Sequence, residues 1–241
     1  MLAPVFTLLL TACVPGASGD RRVLVSAAAS LADVFAEMES AFEEMHPGVD
    51  VVLNVAGSAA LREQILEGAP TDVFAPANME IMDQVLQTGV VAAEPAVFAR
   101  NLLEIAVPQG NPGGVVGLED FAREELFLGL CAEGVPCGEA ARETLTKAGV
   151  DFVVDTNEPS VRSLLAKIGA GELDAGITYV TDVTAGADGV DGIVIPADLN
   201  VFVDYPIALL AADNETAATF IDFVFSDRGS AILGGHGFQT P

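Results

Sequence analysis

Two serines stand where an apolar strand pattern gives way to a helical pattern. Ser30 follows the apolar run at residues 23–29, and Ser58 follows the alternating run at residues 51–56. A helix begins with backbone amides that lack a partner within the helix and with the positive end of its dipole. A serine there can help to hold an anion without any formal positive charge. We predict that Ser30 and Ser58 are helix N-caps at candidate anion-binding turns.

The same kind of turn recurs twice in the second half of the chain. A strand pattern at residues 126–131 leads towards a predicted helix over residues 139–148, and Pro136 suits a helix start because it lacks an N–H. Ser160 opens another predicted helix, which ends before Gly169. Most helix caps hold nothing but their own helix, so each turn alone proves little. Their recurrence indicates a set of neutral hydroxyl and amide donors.

The elements that must position these turns alternate between strand and helix, which predicts an α/β architecture. A chain of 241 residues can bury one large or two modest cores. Two long strand patterns, at residues 102–108 and 202–211, look like paired crossovers between two lobes. We predict two mainly parallel sheets flanked by helices, with a hinge formed by the two crossover strands. Lobe I would comprise residues 21–100 and 204–241, and lobe II residues 101–203.

Shorter segments complete this prediction. Strand patterns occur at residues 71–75, 151–154, 175–178 and 193–195, and one terminal helix is predicted over residues 217–233. Because two crossings return the chain to its starting lobe, the terminal helix is expected to pack on lobe I.

The chain is strongly acidic, with 35 Asp plus Glu against 10 Lys plus Arg and a net charge of −25. Nucleic acids and anionic membrane surfaces both need a basic footprint on the protein, so this balance argues against either as a partner. Hydrophobic residues make up 51% of the chain, and the acidic residues are scattered. Disorder is therefore not expected, and the acidic groups predict a solvated surface.

Residues 1–20 resemble a targeting segment. A short apolar run at residues 5–10 precedes Cys13 in the pattern of a bacterial lipoprotein signal, and it is too short to span a bilayer. We predict cleavage before Cys13, lipidation of its thiol and a flexible tether over residues 15–20. The alternative is a plain signal peptide with an incidental cysteine. Both interpretations predict an extracytoplasmic protein, and the first anchors it to the membrane through lipid alone.

With Cys13 set aside, Cys131 and Cys137 form an even pair around one short loop. Disulfides persist outside the cytoplasm, so we predict a bridge between the two that stiffens the loop. A Cys–His metal site is the alternative, but His46 and His236 lie in unrelated segments and no zinc spacing is present.

Motifs for enzymatic chemistry are absent from the sequence. It contains no Gly-x-Ser-x-Gly elbow, phosphate-binding glycine loop, dinucleotide fingerprint or His-Glu-x-x-His helix. Its two histidines lie outside the turns described above and leave little for acid–base catalysis near neutral pH. An exported enzyme that uses carboxylates is the alternative, although no motif singles out a carboxylate pair.

Six segments occur in the order and spacing of the ModA-type periplasmic molybdate-binding proteins, the solute receptors of molybdate ABC importers. The segments are residues 25–31 (VSAAASL), 57–61 (GSAAL), 68–74 (GAPTDVF), 135–138 (VPCG), 160–162 (SVR) and 176–179 (GITY). The sequence resembles this family over roughly residues 22–240. The resemblance implies the two-lobed type II periplasmic-binding-protein fold, an exported monomer without a cofactor, and delivery of molybdate or tungstate to an ABC permease in the membrane.

The resemblance also implies which residues hold the tetrahedral anion. Ser30 and Ser58 would bind it through hydroxyl and main-chain N–H groups. Cys137 and Val161 would contribute backbone amides, and Tyr179 its hydroxyl. Cys137 departs from the alanine that is common in relatives, which the site tolerates because only the backbone donor is used. The family's site uses no cation and no metal ligand.

A ring of neutral donors has physical consequences for specificity. A smaller sulfate would leave donors stretched or unpaired, at about 1–3 kcal/mol each, and a protonated phosphate would bring a proton that finds no acceptor. Arg62 and Arg162 lie near the proposed site in sequence but are expected to face solvent or pair with acids. A receptor of the same fold for sulfate or phosphate is the alternative function.

Overall fold

The computed structural model describes residues 21–186 and 189–241, and the predicted signal segment with Cys13 lies outside those residues. The strands are β1 (Arg21–Ala28), β2 (Val49–Ala56), β3 (Val73–Ala75), β4 (Ala96–Asn101), β5 (Leu103–Pro108), β6 (Leu128–Cys131), β7 (Thr156–Glu158), β8 (Ala175–Tyr179), β9 (Val190–Val194) and β10 (Val203–Leu209). The α-helices are α1 (Ala32–Met45), α2 (Ser58–Leu66), α3 (Met79–Leu86), α4 (Pro136–Lys147), α5 (Val161–Gly169), α6 (Val180–Thr184), α7 (Glu215–Val224) and α8 (Asp227–Gly235). Short 3₁₀ helices cover Ala29–Leu31 and Leu118–Ala122.

Two five-stranded sheets organise these elements. The first has the order β2-β1-β3-β10-β4, and the second has the order β7-β6-β8-β5-β9. In the first sheet β1 is parallel to β2 and β3, whereas β10 is antiparallel to β3 and β4. In the second sheet β6 is parallel to β7 and β8, whereas β5 is antiparallel to β8 and β9. The sheets are thus mixed, but in each of them four strands run in one direction and only β10 or β5 runs opposite, which agrees with the predicted mainly parallel sheets.

The antiparallel strands follow from the chain's path between the sheets. β5 and β10 are each the first strand after a crossing from the other sheet. Each of these strands begins at the crossing. It therefore runs in the opposite direction to the strands whose carboxyl ends lie at the crossing. The same path places the carboxyl ends of β1, β6 and β8 towards the space between the sheets, where turns that follow parallel strands commonly form binding sites.

The two crossings are short and tied to each other. Leu102 alone separates β4 from β5, and residues 195–202 connect β9 to β10. The Asn200 side chain accepts a hydrogen bond from the Leu103 amide at 3.0 Å and donates one to the Leu103 carbonyl at 2.7 Å. The Asn101 side chain accepts a hydrogen bond from the Leu102 amide at 2.9 Å. Two buried asparagines therefore fix the backbone where the chain passes between the sheets.

At three places the secondary structure differs from the prediction. β4 was not predicted, and the strand expected at residues 151–154 is absent, with β7 formed at Thr156–Glu158 instead. The predicted terminal helix is two helices, because the Ser226 hydroxyl accepts a hydrogen bond from the Gly229 amide at 3.2 Å and starts α8. Gly229 is needed there, since a Cβ atom would lie 2.4 Å from the Phe223 carbonyl oxygen.

An aromatic cluster fills the core between the first sheet and its helices. Phe42 on α1 packs edge-on against Phe220 on α7, with ring centroids 5.2 Å apart, and it also contacts Phe223 at 5.5 Å. Phe35 packs edge-on against Phe98 of β4 and Phe220, at 5.8 and 6.2 Å. Edge-to-face pairs of this kind stabilise a core beyond the area they bury. The C-terminal helices thus belong to the same core as β1 and α1.

We expect Phe42→Ala to lower the free energy of unfolding by about 3–5 kcal/mol, because it empties a site in the aromatic cluster. Phe42 is fully buried, whereas Phe127 is 63% exposed, so Phe127→Ala is the matched control and should change stability by less than about 1 kcal/mol. Equilibrium urea unfolding of both variants measures the difference. Equal losses in the two variants would show that the cluster does not carry this part of the stability.

Candidate functional site

A small cavity lies between the two sheets and holds all five residues expected to bind a ligand. Its lining comprises Ala28, Ala29, Ser30, Gly57, Ser58, Ala77, Val135, Pro136, Cys137, Ser160, Val161 and Tyr179. The free volume within it is about 10 Å³, far less than the roughly 300–1,000 Å³ typical of pockets for drug-sized molecules. The cavity therefore suits a small inorganic solute rather than an extended organic one.

Helix starts converge on this cavity from both sheets. The 3₁₀ helix Ala29–Leu31 and α2 follow strands of the first sheet, and α4 and α5 follow strands of the second. The first amides of a helix have no partner within that helix. Together with the helix dipoles, they make the cavity favourable to negative charge.

Ser30 does not cap a helix, contrary to the sequence prediction. It lies within the 3₁₀ helix, and Leu31 stands at the N-cap position of α1 without a side-chain hydrogen bond. The Ser30 hydroxyl instead lies 3.1 Å from the Tyr205 hydroxyl, and both residues are buried. The tight 3₁₀ turn displaces the start of α1 by two residues beyond Ser30 and leaves the serine facing the cavity.

Ser58 is likewise not an N-cap. Gly57 occupies that position, and Ser58 is the first residue of α2. The Ser58 hydroxyl oxygen accepts a hydrogen bond from the Ala77 backbone amide at 3.0 Å. That contact uses an acceptor position of the hydroxyl, so its hydrogen is available to a ligand in the cavity.

Cys137 lies in the first turn of α4, which begins three residues before the predicted start. Cys131 and Cys137 form a disulfide, as the sequence hypothesis proposed. Next to the bridge, a Cβ atom on Gly138 would lie 2.2 Å from the Ala132 carbonyl oxygen, so only glycine fits. The Arg142 guanidinium donates to the Cys131 and Gly138 carbonyls at 2.8 and 3.1 Å. The loop that presents the Cys137 amide is therefore held from several sides.

Val161 is the first residue of α5, as the sequence indicated. The Ser160 hydroxyl accepts a hydrogen bond from the Ser163 amide at 3.2 Å, which confirms Ser160 as an N-cap. With the Ser163 amide occupied by this cap, the amide of Val161 stays at the open end of the helix, in the wall of the cavity.

Tyr179 ends β8 and turns its hydroxyl into the protein interior. Within the described part of the chain, that hydroxyl is fully buried and has no hydrogen-bond partner. Burial raises the pKa of Tyr179 well above its ordinary value, with smaller contributions from Tyr205 and Asp182. The Tyr205 hydroxyl is close enough to affect this pKa but lies outside hydrogen-bonding geometry. A buried hydroxyl without a partner is costly, and one in a cavity wall points to a ligand.

The described residues that line the cavity carry no charge. Arg162 on α5 pairs with Asp33 on α1 and also donates to the Ala29 carbonyl at 3.4 Å. Arg62 pairs with Glu63 on the surface. The expectation that both arginines pair with nearby acids is therefore confirmed.

The two sides of the cavity touch at its rim. A Cβ atom on Gly57, before α2, would lie 2.4 Å from the Pro159 carbonyl oxygen, before α5. Gly57 has φ −58° and ψ 137°, which other residues adopt freely. Glycine is thus required here by the close approach of the opposite backbone and not by its own conformation.

Asp182, on α6 behind Tyr179, was missed by sequence reasoning. It is buried, and one of its carboxyl oxygens has no hydrogen-bond partner among the described residues. Burial raises the pKa of Asp182 to about 7, although the Arg162 guanidinium and a hydrogen bond with the Tyr179 backbone act to lower it. Its only sequence signal is an acid in the first turn of a very short helix.

The fold and cavity define a class of protein. Two α/β lobes joined by two crossings, with a small donor-lined cavity between them, are the architecture of an extracellular solute-binding protein. The family described as bacterial extracellular solute-binding protein matches residues 23–239, and the chain belongs to that family.

Particular relatives agree with this assignment. The molybdate-binding protein ModA of Mycobacterium tuberculosis is 35% identical over 225 residues, which cover 92% of this chain and 86% of that protein. The periplasmic molybdate-binding protein of Azotobacter vinelandii aligns with a TM-score of 0.76 at 19% identity, over 91% of this chain and 99% of that one. The sulfate-binding protein SubI of M. tuberculosis aligns with a TM-score of 0.79 at 18% identity, over 91% and 86%. The two structural alignments confirm the predicted two-lobed fold.

Neither a cluster of metal ligands nor a membrane-spanning helix occurs in residues 21–186 and 189–241. No group of three or more His, Cys, Asp or Glu side chains in these ranges is arranged to hold a metal ion. None of the helices there combines the length and apolar character that a membrane crossing needs.

The raised pKa of Asp182 predicts a pH-dependent stability. Between about pH 4 and pH 7 the unfolded chain releases this proton while the folded protein keeps it, so the stability of the wild type falls as pH rises. The full effect is on the order of 4 kcal/mol. Asp182→Asn lacks the titration, so its melting temperature relative to wild type should rise across that window and level off above it.

Asp222→Asn, at an exposed site on α7, is the control and should follow the wild-type pH dependence. Thermal melts at half-unit pH intervals measure both variants. A constant offset between Asp182→Asn and wild type from pH 4 to pH 8 would contradict the buried titration.

Proposed function

We propose that this protein captures molybdate or tungstate in the cavity between its lobes and delivers the anion to an ABC importer. The observation that carries the proposal is a pair of hydroxyls on residues that line an uncharged cavity. The Ser58 oxygen is already occupied by the Ala77 amide, and the buried Tyr179 hydroxyl has no partner among the described residues. The likeness to molybdate-binding relatives supports the same ligand.

We assign the five lining residues Ser30, Ser58, Cys137, Val161 and Tyr179 as the ligand set. The hydroxyls of the two serines and the tyrosine, and the first-turn amides, all donate to the oxygens of the anion. Charge-assisted hydrogen bonds contribute about 1.5–3 kcal/mol each, so about seven of them can support micromolar or tighter binding after the costs of association. A bound dianion thus needs no cation in the cavity.

Sulfate is the second candidate ligand. The fold is shared with a sulfate-binding protein at a TM-score of 0.79, so the fold alone does not choose between the two anions. We propose that size selects the larger anion, because a rigid ring of donors that fits long metal–oxygen bonds leaves a smaller tetrahedron with unpaired donors. Phosphate is disfavoured because its proton meets only donors.

The proposed lobe boundaries follow the two sheets. Lobe I comprises residues 21–100 and 204–241, and lobe II comprises residues 101–203, with the hinge at the two crossings. A ligand that contacts both lobes stabilises the arrangement in which they meet, so binding favours closure. The Arg162–Asp33 pair and the Gly57–Pro159 approach are contacts of that closed arrangement.

The place of action is extracytoplasmic, as it is for periplasmic relatives. We further propose that Cys13 carries a lipid that holds the protein at the membrane, that residues 15–20 act as a tether, and that the protein works as a monomer. An enzymatic role is not proposed, because the cavity presents hydrogen-bond donors and no acid–base pair.

Isothermal titration calorimetry of purified protein with molybdate, tungstate and sulfate tests the proposed ligand. We expect saturable heat with the first two anions and at least roughly tenfold weaker binding of sulfate. Ser58→Ala should weaken molybdate binding by about 10- to 150-fold, the equivalent of one charge-assisted hydrogen bond. Ser40→Ala, an exposed serine on α1, is the control and should bind as wild type. Tighter sulfate than molybdate binding would reassign the protein to the second candidate.

Gly57→Ala tests closure. Its backbone conformation suits alanine, so the ligand-free protein should keep its melting temperature, whereas the new Cβ atom meets the Pro159 carbonyl when the lobes touch. Overpacking of about 1–3 kcal/mol corresponds to roughly 5- to 150-fold weaker molybdate binding. Gly234→Ala on α8, where a Cβ atom meets open space, is the control. Unchanged calorimetric affinity in Gly57→Ala would contradict the assignment of this contact to the bound form.

A further inference from the structure

Tyr205 occupies the junction between the lobes, behind the cavity wall. It lies on β10, the strand that follows the second crossing, and it is fully buried. Its ring packs edge-on against three aromatic rings: Phe98 at 6.5 Å, Tyr179 at 6.0 Å and Phe238 at 5.5 Å. These contacts fix the ring, so the direction in which its hydroxyl points is also fixed.

The hydrogen bonds around Tyr205 have a defined direction. The Asn101 carbonyl oxygen accepts from the Leu102 amide, so the Asn101 NH₂ group faces the other way and donates to the Thr181 hydroxyl at 2.7 Å. The Ser30 and Tyr205 hydroxyls lie 3.1 Å apart, and either oxygen can accept from the other. A fully deprotonated tetrahedral anion only accepts hydrogen bonds, so a Ser30 hydroxyl that donates to such an anion leaves Tyr205 as the donor in the bond between them.

We propose that Tyr205 is a positioning residue for the anion, which donates its hydroxyl hydrogen to Ser30 and thereby forces the Ser30 hydroxyl to donate into the cavity. This inference rests on the proposed function. A serine hydroxyl can donate or accept, and a free one would turn either way. With its oxygen occupied by Tyr205, Ser30 presents a hydrogen to the ligand, as Ser58 does with its oxygen occupied by the Ala77 amide.

The same arrangement connects the ligand to the hinge. A chain of hydrogen bonds runs from Tyr205, on the strand that follows the second crossing, to Ser30 and, under the proposed function, on to the anion. Hydrogen bonds in such a chain polarise one another, so the negative charge of the ligand strengthens each member. Tyr205 acts on the ligand only through Ser30, since it does not line the cavity.

Tyr205→Phe is the test variant, because it keeps the ring contacts and removes only the hydroxyl. We expect the dissociation constant for molybdate to rise about five- to tenfold, because the variant loses the one ordinary hydrogen bond that orients Ser30. The decisive comparison is a double-mutant cycle with Ser30→Ala. If Tyr205 acts through Ser30, Tyr205→Phe should change affinity less than about twofold when Ser30 is already alanine.

The cycle is measured by calorimetry, and by ligand-dependent melting shifts at millimolar molybdate where binding is weak. Thr144→Val, which removes another buried hydroxyl on α4 away from the cavity, is the control and should bind as wild type. Independent, additive losses for Tyr205→Phe and Ser30→Ala would overturn the inference, as would wild-type affinity in Tyr205→Phe.

Failure of the proposed function is recognised separately. If wild-type protein binds sulfate but neither molybdate nor tungstate, the ligand assignment fails and the same cycle, run with sulfate, still decides the role of Tyr205. If wild-type protein binds none of these tetrahedral anions, both the proposed function and the role of Tyr205 are overturned.

Discussion

The proposed function places one constraint on the structure: a doubly charged anion must leave water for a cavity whose walls carry no opposite charge. Neutral donors can replace the water around the anion only if they are already oriented towards it. Each group that must first turn or give up another partner makes the free energy of binding less favourable. Amides at helix starts are oriented by the backbone. Hydroxyls are not, and the contacts of Ser58 with the Ala77 amide and of Ser30 with Tyr205 supply that orientation.

The acidic surface and the neutral cavity are compatible because they act over different distances. Surface carboxylates are screened within about 8 Å at physiological salt, whereas buried donors act at contact distance. The two arginines next to lining residues in the sequence are paired with acids: Arg162 with Asp33, and Arg62 with Glu63. The protein therefore keeps an overall charge that favours solubility, while the cavity itself stays favourable to a dianion.

Much of the fold could be predicted from the sequence, because hydrophobic periodicity marks most strands and helices and because the crossings carry long apolar runs. The residues that line the cavity were found because strand-to-helix turns have a recognisable pattern. Their detailed roles were not, since whether Ser30 caps a helix or contacts Tyr205 depends on a partner 175 residues away in sequence. Asp182 and Asn101 were not identified from the sequence for the same reason, because their roles depend on burial and on residues that are distant in sequence.

The single residue between β4 and β5 limits how the molecule can move. The Leu102 amide is bound by the Asn101 side chain, and its carbonyl accepts from the Val180 amide at 3.0 Å, so neither group can stretch away from its sheet. The lobes can pivot about a few torsion angles there but cannot slide past each other. Tyr179 pairs with Leu103 immediately beyond this pivot, so it lies close to the axis about which the two lobes can turn.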